Sequence, residues 1–172
     1  SVTGFGQTGP YASRAGYDFL AQGLGGIMSI TGDPDGEPMK VGVGIADVMT
    51  GMYAATAILA ALRHKDATGE GQHIDTCLLD TQVSWLINEG TNYLVSGKIP
   101  KKLGNEHPNI VPYKVFATSD GHVILAVGND RQFQDWCKAA GAHDLKNNPL
   151  YATNPLRIAN RETLYQAMPG FM

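Results

Sequence analysis

The densest hydrophobic segment of the chain is Val48–His64, VMTGMYAATAILAALRH, which is rich in strong helix formers and ends on basic residues suited to a helix C-terminus. Its apolar residues lie on nearly every face of a helical repeat, which is the pattern of a helix buried in a core. Small residues recur every three or four positions, at Gly51, Ala54, Ala57 and Ala61. The pattern predicts a core helix with one face on which a neighbouring backbone approaches closely.

A strand and a second helix are predicted after this segment. The sequence HIDTCLL alternates polar and apolar residues, and Asp80 then caps a helical pattern that runs to about Ser96. Helix, strand and helix in succession favour an α/β architecture, with this strand parallel to its neighbours in a doubly wound sheet. Upstream, the pattern predicts a short helix over Tyr17–Leu24 and an extended segment over Met39–Ile45.

A change in composition divides the chain into two domains. Residues 98–110 combine Lys, Gly and Pro without periodicity, and we interpret them as a linker. Residues 1–97 are then part of a large domain, and residues 111–172 are the first part of a smaller α+β domain. The second domain opens on two β-rich runs around Ser119–Asp120–Gly121, which is a hairpin signal. Helical patterns follow at RQFQDWCKAAG and NRETLYQAM. We expect this second domain to be incomplete.

Composition and charge narrow the class of partner. Of the 172 residues, 43% are hydrophobic and 17% charged, and the net charge of −3 argues against nucleic acid or an anionic membrane as the main partner.

Val41–Leu62 imitates a transmembrane helix, but its Gly and Ala background is weakly apolar and Asp47 lies within it. The opening SVTGFGQTGP lacks the features of a signal peptide, and we interpret it as a cut into a longer chain.

Several common kinds of site are not supported by the sequence. Gly4, Gly6 and Gly9 match G-x-G-x-x-G, but Pro10 follows the last glycine where a dinucleotide site needs a helix. The histidines are scattered and form no ligand pair, so no metal site is predicted. There is no G-x-S-x-G, and Cys77, on the predicted strand, is interpreted as a small core residue of a reduced intracellular protein.

Asp47 is the strongest candidate for chemistry. It stands at the N-terminal end of the apolar helix, where backbone N–H groups and the helix dipole favour a carboxylate. From the residues alone, two readings remain open: a helix N-cap and a catalytic carboxylate.

Four ordered blocks resemble the class III CoA-transferases over essentially the whole chain. They are SVTGFGQTGPYASRAGYDFLAQGLGG, ADVMTGMYAATAILAAL, TGEGQHIDTCLLD and VPYKVFATSDG. The resemblance is strongest to the succinyl-CoA:glutarate type and looser to the formyl-CoA and carnitine types. It implies that Asp47, in the D-x-x-T-G block with Thr50 and Gly51, is the nucleophile that attacks an acyl-CoA thioester. A mixed anhydride and then an aspartyl-CoA thioester would follow, and the start of the helix would lend an N–H to the oxyanion.

The resemblance also implies an architecture and partners. These are a Rossmann-like large domain that binds CoA, a smaller domain, and two subunits interlocked as a homodimer. Coenzyme A enters as the acyl-CoA substrate, with a small carboxylic acid as acceptor and no metal, nucleic acid or membrane. Because family members are longer than this chain, we expect most CoA-binding positions to lie upstream of Ser1. The implied location is cytoplasmic in a bacterium and mitochondrial in a eukaryote.

Four further residues are predicted to contact CoA. Tyr17 matches a position beside the active site of the transferases, where related acyl-CoA racemases have His; a core Tyr at a helix start is the alternative. Arg14 is a candidate for CoA phosphate, with a solvated surface charge as the alternative. Gly128 and Asn129 match a glycine-containing loop that closes over the site, with a strand-to-helix turn as the alternative.

Two other functions are left open. One is an acyl-CoA racemase or epimerase, which Tyr17 disfavours because a phenol with an ordinary pKa of about 10 is a poor acid or base for racemisation. The other is an inactive truncated fragment, which the terminal AMPGFM favours because it departs from the expected continuing helix.

Overall fold

The computed structural model describes residues 1–172 and divides into two units, Ser1–Gly104 and Asn105–Met172. The point of division lies within the predicted linker at 98–110, and residues 105–110 belong to the second unit. The mixture of helices and strands agrees with the predicted α/β class.

The first unit is mainly helical. Its elements are β1 (Val2–Thr3), α1 (Asp18–Leu24), α2 (Ile27–Ile30), α3 (Ile45–Thr68), β2 (Thr76–Cys77), α4 (Leu78–Ser84) and α5 (Ile87–Ser96). The two short strands pair in parallel, with Val2 opposite Thr76 and Thr3 opposite Cys77. The predicted parallel pairing is therefore confirmed, although the strand is only two residues long.

Two predictions about the segment after α3 are wrong. The helix expected from Asp80 to Ser96 is broken into α4 and α5, and Ile87 at the start of α5 has a φ of +43°. The cap of α4 is Cys77, whose Sγ accepts a hydrogen bond from the Asp80 N–H at 3.5 Å. Asp80 is therefore in the first turn of α4 and does not cap it.

The helix predicted at Val48–His64 is longer, Ile45–Thr68, and is not buried. Only Ala46, Thr50 and Ala54 are buried, whereas most of its large apolar residues are about half exposed or more. By length and composition alone this helix is also apolar enough to cross a membrane. Its main contacts are with α1, α4 and β2, and the buried core between these helices is small: Ala21, Ala46 and Leu78.

The second unit is built around a hairpin and a larger core. Its elements are β3 (Tyr113–Thr118), β4 (Gly121–Ala126), α6 (Asp130–Ala139), α7 (His143–Asn147), α8 (Asn154–Ala159) and α9 (Arg161–Ala167), with 3₁₀ turns at Pro149–Tyr151 and Met168–Phe171. The strands pair antiparallel across the predicted Ser119–Asp120 turn, and both predicted helices are present. Phe133, Cys137 and Leu164 are fully buried at the centre of the core.

The glycine-rich segment before α1 folds back on itself. An added Cβ at Gly4 would lie 2.4 Å from the Gly16 Cα, so the two backbones touch where neither residue can carry a side chain. Leu79 N–H donates to the Gly4 carbonyl at 3.1 Å, which ties this loop to α4. No helix follows Gly9 directly, because α1 begins only at Asp18.

Gly4→Ala is expected to destabilise the protein by about 1–3 kcal/mol, because the new methyl overlaps backbone atoms that cannot rotate away. Gly42→Ala is the matched control, since a Cβ there meets no atom within 4 Å. Thermal unfolding of both variants measures the difference. Equal melting temperatures for the two variants would contradict the predicted close contact.

Candidate functional site at the start of helix α3

Asp47 lies in the first turn of α3 with its carboxylate free. The N-cap of the helix is Gly44, which has no side chain to cap it, so the interpretation of Asp47 as an N-cap is wrong. The Asp47 side chain is exposed, and its carboxylate forms no hydrogen bond or ion pair within the chain. An exposed, unpaired carboxylate at this position is open to a reactant.

The capping group for α3 comes from α1. Asp18 Oδ1 accepts hydrogen bonds from the Ala46 N–H at 2.8 Å and from the Asp47 N–H at 3.4 Å. These N–H groups have no acceptor within their own helix, and a carboxylate there also complements the helix dipole. A Cβ on Gly44 would lie 3.5 Å from the Asp18 Cγ, so the two helix starts are in contact.

The first N–H groups of α3 all have acceptors inside the chain. Ile45 donates to the Val43 carbonyl at 2.8 Å and Val48 to the Gly44 carbonyl at 3.1 Å, while Ala46 and Asp47 donate to Asp18. The Asp47 N–H has the longest of these bonds, at 3.4 Å. That the helix start lends an N–H to the oxyanion of a reacting thioester stays a prediction.

Thr50 and Gly51 complete the D-x-x-T-G block without contacting the Asp47 carboxylate. The buried Thr50 hydroxyl donates to the Ala46 carbonyl at 2.6 Å, one turn back in the same helix. An added Cβ at Gly51 would have no atom within 4 Å. The predicted close backbone approach at this face therefore does not occur at Gly51 within these residues.

Tyr17 and Arg14 lie on the segment that leads into α1. Tyr17 is the residue before the helix, next to Asp18 in the chain, and 73% of its side chain is exposed. Tyr17 is therefore not part of a core formed by residues 1–172, and its contact with CoA stays a prediction. The exposed Arg14 guanidinium lies over the Tyr11 ring, 4.2 Å from its centroid.

Gly128 and Asn129 lie in the second unit and cap α6. The Asn129 side chain accepts a hydrogen bond from the Gln132 N–H at 2.9 Å, and the Gln132 side chain accepts one from the Gly128 N–H at 2.7 Å. This is the reciprocal pattern of a capping box, displaced by one residue. The strand-to-helix turn explains both residues, and their contact with CoA stays a prediction.

Neither cysteine is suited to nucleophilic catalysis. Burial raises the pKa of the Cys77 thiol, and burial raises that of Cys137 to about 11, with nearby Arg157 and Lys146 acting in the opposite direction. A raised thiol pKa lowers the thiolate fraction at neutral pH. No three His, Cys, Asp or Glu residues of the chain are grouped as metal ligands.

Sequence reasoning missed Asp18 and Gln22. The Gln22 side chain is fully buried, donates to Asp18 Oδ2 at 2.8 Å and accepts from the Val41 N–H at 2.8 Å. The signal was present in YDFLAQ, where an acidic residue opens a helix and an amide follows one turn later on the same face. The sequence pattern gave no indication that these side chains contact residues 41–47, which lie far away along the chain.

Known proteins resemble the chain over nearly all of its length. A succinate–glutarate CoA-transferase from Agrobacterium fabrum is 55% identical over 96% of the chain, and the human succinyl-CoA:glutarate CoA-transferase is 44% identical over 98%. The chain spans only 42% and 38% of these two relatives.

A solved CAIB/BAIF family protein from Brucella suis is 51% identical, with a TM-score of 0.76 over 99% of the chain and 45% of that protein. A Mycobacterium tuberculosis protein with a TM-score of 0.83 is 24% identical and shows the fold alone. The family model described as CoA-transferase family III matches residues 1–172, and the chain therefore belongs to this family.

Proposed function

We propose that the protein transfers coenzyme A from an acyl-CoA to a small carboxylic acid, with Asp47 as the nucleophile. The observation that carries the proposal is the exposed and unpaired Asp47 carboxylate in the first turn of α3. It stands in a chain that matches the CoA-transferase family III throughout. The names of the human and mouse relatives support succinyl-CoA as donor and glutarate as acceptor.

Every intermediate of the proposed reaction is an activated acyl compound, either an anhydride or a thioester. An Asp47 oxygen attacks the thioester carbonyl, the C–S bond breaks, and CoA leaves as a thiolate from the resulting mixed anhydride. The thiolate attacks the Asp47 carbonyl, releasing the donor acid and forming an aspartyl-CoA thioester. The acceptor carboxylate then attacks this thioester, and the released thiolate attacks the acceptor carbonyl of the new anhydride, which regenerates Asp47.

We place Tyr17 and Arg14 among the CoA contacts. Tyr17 adjoins Asp18, which binds the Asp47 backbone, and its phenol is exposed. Arg14 is exposed and carries the positive charge that a CoA phosphate requires. Gly128 and Asn129 retain their predicted contact with CoA as part of the same proposal, through groups that the α6 cap does not use.

We also propose the Rossmann-like large domain and the interlocked homodimer that the resemblance implies. The exposed apolar residues of α3 and α5 support this proposal, including Leu59 at 68% and Leu94 at 84% exposure. Apolar surface of this extent usually marks an interface in a soluble protein. The rest of the polypeptide and a second subunit would supply that interface.

Hydroxylamine trapping tests the proposed nucleophile. The full-length protein is incubated with succinyl-CoA and hydroxylamine, and its peptides are mapped by mass spectrometry. Hydroxylamine attack on the aspartyl carbonyl, in the CoA thioester above all, should leave a hydroxamate on Asp47, and omission of succinyl-CoA should abolish the label. A folded, CoA-binding protein without label on Asp47 would leave this residue a structural role only.

The same protein in deuterated water tests the racemase alternative. A racemase or epimerase exchanges the α-proton of its acyl-CoA with solvent, whereas a transferase leaves it in place. We expect CoA transfer from succinyl-CoA to glutarate without α-deuteration of the acyl group. Deuterium at the α-carbon without transfer would overturn the proposed reaction.

A further inference from the structure

A chain of hydrogen bonds connects α1 to residues 41–47, the joint between the preceding loop and the start of α3. On the helical side, Asp18 Oδ1 accepts from the N–H groups of Ala46 and Asp47. On the other side, Gln22 accepts from the Val41 N–H at 2.8 Å and donates more weakly to the Val43 carbonyl at 3.4 Å. The two side chains are joined by the Gln22 Nε2 to Asp18 Oδ2 bond of 2.8 Å.

The amide of Gln22 meets two opposite requirements at its position. The Asp18 carboxylate needs a donor and the Val41 N–H needs an acceptor, and a glutamine provides both from one side chain. Glutamate would offer no donor to Asp18, and an apolar side chain would leave the Val41 N–H without its acceptor. Because Gln22 is fully buried, water cannot replace either bond cheaply.

The joint itself has little rigidity of its own. Gly44 caps α3 without a side chain, and Gly42 stands two residues before it. Glycine imposes few restrictions on the backbone, so the direction of the first turn of α3 depends on external contacts. Gln22 and Asp18, one helical turn apart on α1, supply the side-chain hydrogen bonds to this segment, in addition to the packing of α3 on α4 and β2.

We infer that Gln22 is a positioning residue for Asp47: it orients Asp18 and fixes the 41–43 segment, so that the carboxylate of Asp47 faces its reactant in one orientation. The inference rests on the proposed role of Asp47 as nucleophile. It concerns the rate at which Asp47 is acylated, because Gln22 is buried and touches no reactant. A displacement of about 1 Å in a reacting group lowers rates by roughly 100-fold.

The test uses four variants of the full-length enzyme. Gln22→Met removes both bonds at nearly constant volume, and Gln22→Glu removes the donor and places a second carboxylate beside Asp18. Asp18→Asn sets two amide nitrogens against each other. The double variant Asp18→Asn with Gln22→Glu restores the pattern, because the new amide at 18 donates to the new carboxylate at 22, which still accepts from Val41.

We expect the three single variants to lower the rate of Asp47 acylation at saturating succinyl-CoA by roughly 10- to 100-fold, with KM changed by less than about twofold. The double variant should recover at least tenfold of the loss seen in Gln22→Glu. Gln82→Met is the matched control, a second buried glutamine of the same unit whose Nε2 has no partner. It should retain the wild-type rate.

The outcomes separate this inference from the proposed function. Acylation is measured by hydroxylamine trapping on the folded fraction, so loss of folded protein alone does not lower the rate. Wild-type rates in folded Gln22→Met and Gln22→Glu, or no recovery in the double variant, would overturn the positioning role. Absence of label on Asp47 in the wild type would instead overturn the proposed nucleophile, and the inference with it.

Discussion

Asp47→Asn is expected to lower kcat for CoA transfer by roughly 10⁴-fold or more in the full-length enzyme. An amide cannot attack a thioester to form the anhydride, so both covalent intermediates are lost. The protein should remain folded, because the Asp47 side chain is exposed and its N–H still donates to Asp18. Loss of a first-turn carboxylate costs a helix only about 0.3–1 kcal/mol. Steady-state transfer from succinyl-CoA to glutarate measures the effect.

Asp66→Asn is the matched control for this substitution. Asp66 is an exposed aspartate in the last turns of the same helix, and its removal should leave kcat unchanged. Slow hydrolysis of the new amide back to aspartate would give residual activity in Asp47→Asn. Asp47→Ala is free of this artefact, since alanine cannot revert. Activity within tenfold of the wild type in Asp47→Ala would contradict covalent catalysis at this residue.

Local sequence patterns predicted the elements that local interactions determine. The hairpin around Ser119–Asp120 and the amphipathic helix α6 follow from residue order alone, and both are present. α3 was also recognised, because its helix formers act through contacts within one turn. The helix is longer than predicted at both ends, from Ile45 to Thr68. Its start is capped by the distant Asp18, and its end is set by Gly69 in the left-handed conformation.

Features that depend on distant residues were not predictable. The bonds that join Asp18 and Gln22 to residues 41–47 span 19 to 29 positions, and no periodicity encodes such a pairing. The expected burial of α3 failed for a related reason. An apolar pattern predicts that a helix will be covered but not by which residues, and within 1–172 α3 packs mainly against α1, α4 and β2.

Arg157→Met is expected to destabilise the second unit by about 3 kcal/mol, with a drop of several degrees in its melting temperature. Arg157 is fully buried, and its guanidinium donates to the Val111 carbonyl at 2.7 Å, the Tyr151 carbonyl at 3.0 Å and Asp130 Oδ1 at 2.8 Å. It also stacks on the Phe133 ring at 4.6 Å. Methionine fills similar space but leaves two carbonyls without their donor.

The planar fork of the guanidinium suits this position better than an ammonium group, because the three acceptors lie in different directions. Arg157→Lys retains the charge but cannot reach three acceptors in different directions, so we expect a loss between that of Arg157→Met and zero. Arg131→Met is the control, because Arg131 is 92% exposed and its 3.8 Å pair with Asp135 should contribute nothing measurable.

Hydrogen exchange at Phe133 and Leu164 locates the effect in the core of the second unit. Faster exchange there in Arg157→Met, with unchanged exchange in α3, is the expected result. Because Asp130 directly follows Asn129, the same loss should loosen the Gly128–Asn129 turn. Unchanged exchange in both regions would show that the Arg157 hydrogen bonds do not stabilise this unit.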